Sequence, residues 1–124
     1  ASHGILRRIG RNLYINNRYF EKLSNHNLYI MESNHDVEML MNGRYPFHLK
    51  KRILSDKGHL SNSDCAYYLS EFIGDKTNTI ILAHLSDDNN TYELAVKNVL
   101  ESKNKKVKNI LIAKQKQRTE MIEV

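Results

Sequence analysis

The stretch TIILAHLSDDNNTYELAVKNVL, residues 79–100, decides the fold. Residues 79–83 are a continuous apolar run, which is typical of a strand buried on both faces of a sheet. A polar loop follows, and apolar residues then recur at helical spacing: Tyr92, Ala95, Val96, Val99 and Leu100. A buried strand followed by an amphipathic helix is the unit from which α/β layered folds are built.

The same alternation continues on both sides of this stretch. Upstream, residues 27–32 (NLYIME) predict a strand, followed by three helices: one ending at Asn42-Gly43, a short one after Pro46, and one running from Ser61 to Gly74. A further helix is predicted from Asn16. Downstream, residues 109–113 (NILIA) predict a strand, and residues 119–124 alternate weakly toward another. The fold class is therefore α/β, a sheet flanked by helices.

Two helix starts carry a capping signature, in which an N-cap residue is followed three positions later by an acidic one. Ser61 with Asp64 predicts the first, and Asn90 with Glu93 predicts the second. Both helices are thus expected to begin at the end of a polar loop.

The composition indicates one globular domain in contact with something anionic. The chain has 124 residues, a net charge of +5 and a pI of about 9.3. Its one cysteine, Cys65, lies in an apolar helical pattern, and a buried free thiol fits a cytoplasmic protein. No apolar run reaches the roughly 20 residues of a membrane span. Residues 1–13 lack a hydrophobic period that indicates a clear element, and we treat them as an uncertain leader.

Three histidines stand where chemistry is expected in an α/β fold. His35 and His84 each follow a predicted strand, and His59 lies in a loop before a helix. Each has polar neighbours that could orient an imidazole, such as Asp36 beside His35 and Ser86 beside His84. The alternative is that these are solvated loop residues. HExxH, CxxC and GxSxG motifs are absent, so spacing alone identifies neither a metal site nor a serine hydrolase.

Two runs of basic residues account for much of the positive charge. Residues 103–108 are interpreted as a solvated surface, while the second run adjoins His59 and could contact phosphates: Lys50, Lys51, Arg52 and Lys57.

Three ordered segments resemble the YycJ/WalJ-like branch of the metallo-β-lactamase superfamily. They are ESNHDVEML (32–40), GRYPFHLKKRILSDKGHLSNSDCA (43–66) and ILAHLSDDNNTYELA (81–95), and the likeness covers residues 14–124. It implies that these residues are the carboxyl-terminal half of a four-layer αββα hydrolase domain. Such an enzyme uses two divalent metal ions, zinc or manganese, to cleave phosphodiester bonds, and this branch is associated with nuclease activity on nucleic acid.

The resemblance also implies roles for individual residues. His84 matches the last metal-ligand histidine, His59 matches a histidine that contacts the scissile phosphate and protonates the leaving group, and Glu32 matches a carboxylate that supports it. Asn34, His35 and Asp36 belong to the signature of the branch and are predicted, with Ser86, to line the site.

The chain departs from the family pattern in its metal ligands. The HxHxDH motif is absent, and Arg11-Asn12-Leu13 stands where a bridging aspartate is expected. Either residues 1–13 are foreign or rearranged sequence fused to a half-domain, or the chain is a natural truncated product. We therefore expect a fragment that is inactive alone and that associates with a missing half-domain or with itself. The alternatives are a non-catalytic basic module that binds nucleic acid or protein, and a purely structural fragment.

Overall fold

A computed structural model describes residues 7–9, 12–14, 21–55, 58–101 and 107–114. The strands are β1 (Arg7–Ile9), β2 (Asn12–Tyr14), β3 (Leu28–Glu32), β4 (Thr79–Ala83) and β5 (Asn109–Ile112). The helices are α1 (Val37–Asn42), α2 (Phe47–Leu54), α3 (Asn62–Phe72) and α4 (Tyr92–Glu101).

A three-stranded parallel sheet with the order β3-β4-β5 forms the centre of the fold. Ile30 pairs with Ile81, and Ile81 pairs with Leu111. Parallel neighbours require long crossover connections, and α1 to α3 and then α4 occupy those connections. The predicted α/β class is confirmed as a small parallel sheet flanked by helices.

One face of this sheet is covered, and we call it the covered face. It carries Tyr29 and Met31 from β3 and Ile80 and Leu82 from β4, each at most 7% exposed. They pack with buried residues of α3 and α4: Cys65, Tyr68, Leu69, Phe72, Ala95 and Val99. Alternate residues of a strand point to one face, so the helices bury a complete set of side chains. Burial raises the pKa of the Cys65 thiol to about 12, which agrees with the predicted buried cysteine.

The opposite face carries the other set of alternate residues, and we call it the open face. Ile30 is 58% exposed there, and its cross-strand neighbours Ile81 and Leu111 are half-buried. Glu32, two residues beyond Ile30, lies on the same face at the carboxyl end of β3.

Side-chain caps fix where the helices begin. The Ser61 hydroxyl accepts a hydrogen bond from the Asp64 N–H at 3.1 Å, which confirms the predicted N-cap of α3. The predicted cap at Asn90 is wrong, because the Thr91 hydroxyl accepts from the Leu94 N–H instead, at 3.1 Å. The Asn90 side chain is turned into the protein interior, where it has other partners.

The remaining predictions concern the ends of the chain. No element was assigned to residues 1–13, whereas β1 and β2 pair as an antiparallel hairpin that extends to Tyr14. The helix predicted from Asn16 is seen as helical residues 21–23, and its first part lies outside the described residues. The strand predicted at residues 119–124 also lies outside them. Within the described ranges, no helix is long and apolar enough to cross a membrane.

Candidate functional site

The carboxylate of Glu32 brings two of the predicted histidines together. Its Oε2 lies 3.0 Å from His59 Nδ1 and 3.3 Å from His84 Nδ1, although the histidines are 27 and 52 residues away in sequence. Its Oε1 accepts a hydrogen bond of 2.6 Å from the Leu60 N–H. Glu32 ends β3 and His84 follows the adjacent parallel strand β4, so sheet topology places them at one edge.

The three side chains differ in their contact with solvent. The Glu32 side chain is 12% exposed, whereas those of His59 and His84 are 54% and 65% exposed. Burial acts to raise the pKa of Glu32, but the hydrogen bonds from Leu60, His59 and His84 outweigh it and lower that pKa. Glu32 is therefore held as a carboxylate beneath two accessible imidazoles.

His84 has a strained backbone, with φ at 57°. This left-handed conformation is rare for a residue with a side chain and costs about 1–2 kcal/mol. The Asn34 amide donates a hydrogen bond of 2.7 Å to the His84 carbonyl. Asn34 thus fixes the backbone of His84, and Glu32 at the end of β3 fixes its imidazole.

Asn34 also joins the loops that carry the two histidines. Its N–H donates to the Leu60 carbonyl at 2.8 Å, and its carbonyl accepts from the Ser86 N–H at 2.8 Å. Asn34, a single residue in the loop after β3, thereby connects the His59 loop to the His84 loop.

A buried polar cluster lies next to these loops, and sequence reasoning missed it. Asn62 and Asn90 exchange reciprocal side-chain amide hydrogen bonds of 2.7 and 2.9 Å. The Ser33 hydroxyl donates to Asn62 Oδ1 at 2.6 Å, and Asn90 Nδ2 donates to the Ser33 carbonyl at 2.9 Å. All three residues are at most 6% exposed. The cluster joins the end of β3 to the starts of α3 and α4, the elements that hold the histidine loops.

Comparison with known proteins finds similarity to bacterial proteins that are named exodeoxyribonucleases. It is 50% identical over 93 residues to the protein named exodeoxyribonuclease YycJ of Bacillus anthracis, a match of 73% of this chain and 35% of the relative. It is 48% identical over 82 residues to exodeoxyribonuclease WalJ of Streptococcus pneumoniae serotype 2, covering 66% of this chain and 30% of the relative. The chain is homologous to the YycJ/WalJ proteins.

This homology confirms the resemblance to the YycJ/WalJ-like branch, although it covers only part of the relatives. The chain spans about a third of the length of the YycJ/WalJ relatives it matches. No family model matches the chain, and no solved structure does.

The other residues predicted to line the site, His35, Asp36 and Ser86, lie in the loops that follow β3 and β4. His35 is 2% exposed, and its Nδ1 lies 3.2 Å from Asn34 Oδ1. Asp36 caps α1 by accepting from the Met39 N–H at 3.0 Å, and the Ser86 hydroxyl accepts from the Asn89 N–H at 3.1 Å. These residues organise the loops around Glu32, His59 and His84.

The predicted phosphate-binding residues lie on α2. Lys51 and Arg52 are exposed, while Lys50 is half-buried with its Nζ donating to the Met41 carbonyl at 2.8 Å. Lys57 lies outside the described residues.

The described residues do not form a metal site by themselves. In the ranges that the structure describes, no group of three or more His, Cys, Asp or Glu side chains is arranged to hold an ion. A catalytic zinc site needs about three protein ligands, and His84 is one imidazole whose Nδ1 already faces Glu32. The divalent metal implied by the YycJ/WalJ resemblance would need further ligands.

Proposed function

We propose that this chain is part of a metal-dependent hydrolase that cleaves phosphodiester bonds of DNA, with Glu32, His59 and His84 in its active site. The observation that carries the proposal is the shared carboxylate, since Glu32 Oε2 contacts both imidazoles within 3.3 Å. The names of the YycJ and WalJ relatives support DNA as the substrate.

His59 is the proposed proton donor. Phosphodiester cleavage produces an alkoxide leaving group, and histidine is the side chain best suited to protonate it near neutral pH. The Glu32 carboxylate accepts a hydrogen bond from His59 Nδ1, which fixes the orientation of the ring. The ring is 54% exposed, so a scissile phosphate can approach it.

His84 is the proposed metal ligand that this chain supplies. A ligating histidine commonly gives its second ring nitrogen to a carboxylate, and Glu32 holds that position. A bound divalent metal would activate water and neutralise charge on the phosphate. Because the described residues supply one candidate ligand, we propose that the others come from a second half of the domain.

The open face supports this view of the domain. We propose that residues 14–124 are the carboxyl-terminal half of a metallo-β-lactamase-like αββα domain; the hairpin of β1 and β2, which pairs Arg7 with Tyr14, crosses the boundary expected at residue 13. A second sheet packed on Ile30, Ile81 and Leu111 would cover the apolar face and bring its ligands to the edge where Glu32 lies. The greater length of the relatives is consistent with such a half.

A non-catalytic nucleic-acid-binding module is the second candidate. The lack of a three-ligand group among the described residues favours it, as do the exposed cations of α2. Such a module would bind DNA with strong salt dependence and hydrolyse nothing in any context.

Hydrolysis of labelled single-stranded DNA tests the enzyme proposal. The chain would be assayed alone and joined to the amino-terminal part of the Bacillus anthracis relative, each with Mn²⁺ or Zn²⁺. We expect activity in the joined protein only, lowered about 10²- to 10⁴-fold by His59→Ala and abolished by His84→Ala. His26→Gln is the matched control, because that exposed histidine precedes β3 at the other end of the sheet. Full activity in both His59→Ala and His84→Ala would refute the site assignment.

A further inference from the structure

The Asn90 side chain, in the buried polar cluster of Ser33, Asn62 and Asn90, uses its full hydrogen-bonding capacity. Its Nδ2 donates to Asn62 Oδ1 and to the Ser33 carbonyl, both at 2.9 Å. Its Oδ1 accepts from Asn62 Nδ2 at 2.7 Å and from the Thr91 N–H at 2.9 Å. An amide side chain has two N–H donors and one oxygen with two lone pairs, so each of these groups has a partner.

Hydrogen bonds of this kind specify geometry more than they stabilise the fold. The net contribution of a buried hydrogen bond is small, and replacing both partners by apolar groups of the same shape can be nearly neutral. A hydrogen bond weakens steeply when its donor and acceptor move out of line, whereas an apolar contact has no preferred direction. A fully satisfied buried network therefore fixes a single arrangement of the elements that carry it.

Each residue of the cluster is close in sequence to one residue of the candidate site. The pairs are Ser33 next to Glu32, Asn62 three positions after His59, and Asn90 six positions after His84. Backbone contacts strengthen these connections. The Ser33 N–H donates at 2.9 Å to the carbonyl of Ala83, the residue before His84, and the Asn62 N–H donates to the His35 carbonyl at 2.8 Å. A change in the cluster would therefore move the site residues relative to one another.

The site itself is poorly shielded from water. The side chains of His59 and His84 are 54% and 65% exposed, and ion pairs between exposed groups contribute little to stability. The cluster residues are at most 6% exposed, so water does not compete for their hydrogen bonds. The contacts of both imidazoles with Glu32 thus depend on loops that are held in place by the buried cluster.

We propose that the three residues of the buried polar cluster are positioning residues. They set the spacing of the His59 and His84 loops so that both imidazoles reach one carboxylate oxygen. The inference rests on the proposed function and names residues on which the geometry of that site depends. Catalytic groups must be held close to their productive geometry, and a misplacement of about 1 Å can lower the rate about 10²-fold.

A substitution in one loop that is detected in the other tests this proposal in the isolated chain. The Leu60 amide proton reports on the His59 loop, because its short hydrogen bond to Glu32 Oε1 shifts its NMR signal downfield. Asn90→Leu, 30 positions away in sequence, should move this signal upfield, toward its position in Glu32→Gln. Asn98→Leu is the matched control, because that half-buried amide donates to a carbonyl of α4 itself, and it should leave the signal in place.

Ser33→Ala keeps the test decisive if Asn90→Leu does not fold. It removes one hydroxyl and its hydrogen bond of 2.6 Å to Asn62 Oδ1, and it should move the Leu60 signal in the same direction by a smaller amount. A folded Asn90→Leu or Ser33→Ala protein whose Leu60 signal stays at its unmodified position would overturn the proposal.

Kinetics of the protein joined to the relative's amino-terminal part separate positioning from stability. Asn62→Leu with Asn90→Leu replaces both partners by apolar groups, so the pair should be more stable than Asn90→Leu alone. Its kcat should still be about 10²-fold below that of the unmodified joined protein, with KM little changed. Phe72→Leu, in the core at the other end of α3, should reduce stability without this loss of kcat. A kcat that recovers together with stability in the leucine pair would overturn the proposal.

The results separate this inference from the proposed function. If the joined protein hydrolyses nothing while Asn90→Leu moves the Leu60 signal, the positioning role stands and the enzyme proposal is refuted. If the joined protein hydrolyses DNA, and neither the Leu60 signal nor kcat changes in Asn90→Leu, the enzyme proposal stands and the positioning role is refuted.

Discussion

The two faces of the parallel sheet perform different tasks. On the covered face, Ile80 and Leu82 are 0% exposed beneath α3 and α4. On the open face, Ile30 is 58% exposed, and Glu32 ends the same strand with both histidines on its carboxylate. Within β3, the side chains that point to the covered face thus stabilise the fold, and Glu32, which points to the open face, belongs to the candidate site.

The difference between the faces separates structural from functional substitutions. A change on the covered face removes packing that α3 and α4 depend on. A change at the edge of the open face alters hydrogen bonds among half-exposed groups, and its main effect should be on the site.

Ile80→Ala should have the largest effect on stability, because it leaves a cavity in the middle strand of the covered face. We expect a loss of about 2–5 kcal/mol in the free energy of unfolding, measured by urea denaturation. A loss below about 1 kcal/mol would mean that this face is not the main core.

Asn90→Ala should rank second, because it leaves the buried amide of Asn62 without its reciprocal partner. We expect a loss of about 1–3 kcal/mol, compared with a small change for Asn42→Ala on the exposed end of α1. Replacing Asn62 and Asn90 together by leucine should recover part of the loss in a double-mutant cycle. An additive cycle would contradict the pairing of the two amides.

His84 allows backbone strain to be separated from the imidazole. Both His84→Ala and His84→Gly remove the ring, but only glycine adopts a positive φ without a Cβ penalty. The glycine variant should therefore be more stable than the alanine variant by about 1 kcal/mol. Equal unfolding midpoints would show that residue 84 relaxes out of the left-handed conformation.

Glu32 should make stability depend on pH in the acid range. Its pKa is lowered in the folded protein, so its contribution is present above the unfolded pKa and is lost as the pH falls through the folded value. Glu32→Gln should flatten the stability profile below about pH 4, while Glu71→Gln, exposed on α3, controls for removal of one surface carboxylate. An unchanged acid limb in Glu32→Gln would contradict the hydrogen-bonded carboxylate.

Ile30→Ala should have the smallest effect, within about 0.5 kcal/mol in this chain, because the side chain is largely in water already. The same change in the protein joined to the relative's amino-terminal part should cost about 2 kcal/mol or more, if a second sheet buries this face. Equal small losses in both proteins would refute the proposed half-domain.

Regular elements were predictable because local pattern determines them. The apolar run of β4 and the Ser61 cap of α3 were each found from a few adjacent residues, and the structure confirms both. The cap of α4 was assigned to Asn90 instead of Thr91, because both residues are good caps and only the tertiary partners of Asn90 decide between them.

The candidate site was predictable only in part. The positions of His35 and His84 after strands followed from the pattern. Spacing, however, associated Asp36 with His35, and nothing local linked Glu32 to His59 and His84, which lie 27 and 52 positions away. That link came from the family resemblance for His59. The Asn62–Asn90 pair carried no signal, because buried asparagines have the same sequence appearance as loop asparagines.

The shared carboxylate has a consequence for the order of folding. The partners of Glu32 are distant from it in sequence. The contact between Glu32 and His84 can form only when a loop of 52 residues is closed, which costs conformational entropy. Contacts of high sequence separation form late and slow the folding reaction. During synthesis, β3 must wait for β4 to emerge, and we expect the histidine pair to assemble only after the helices that cover the sheet have formed.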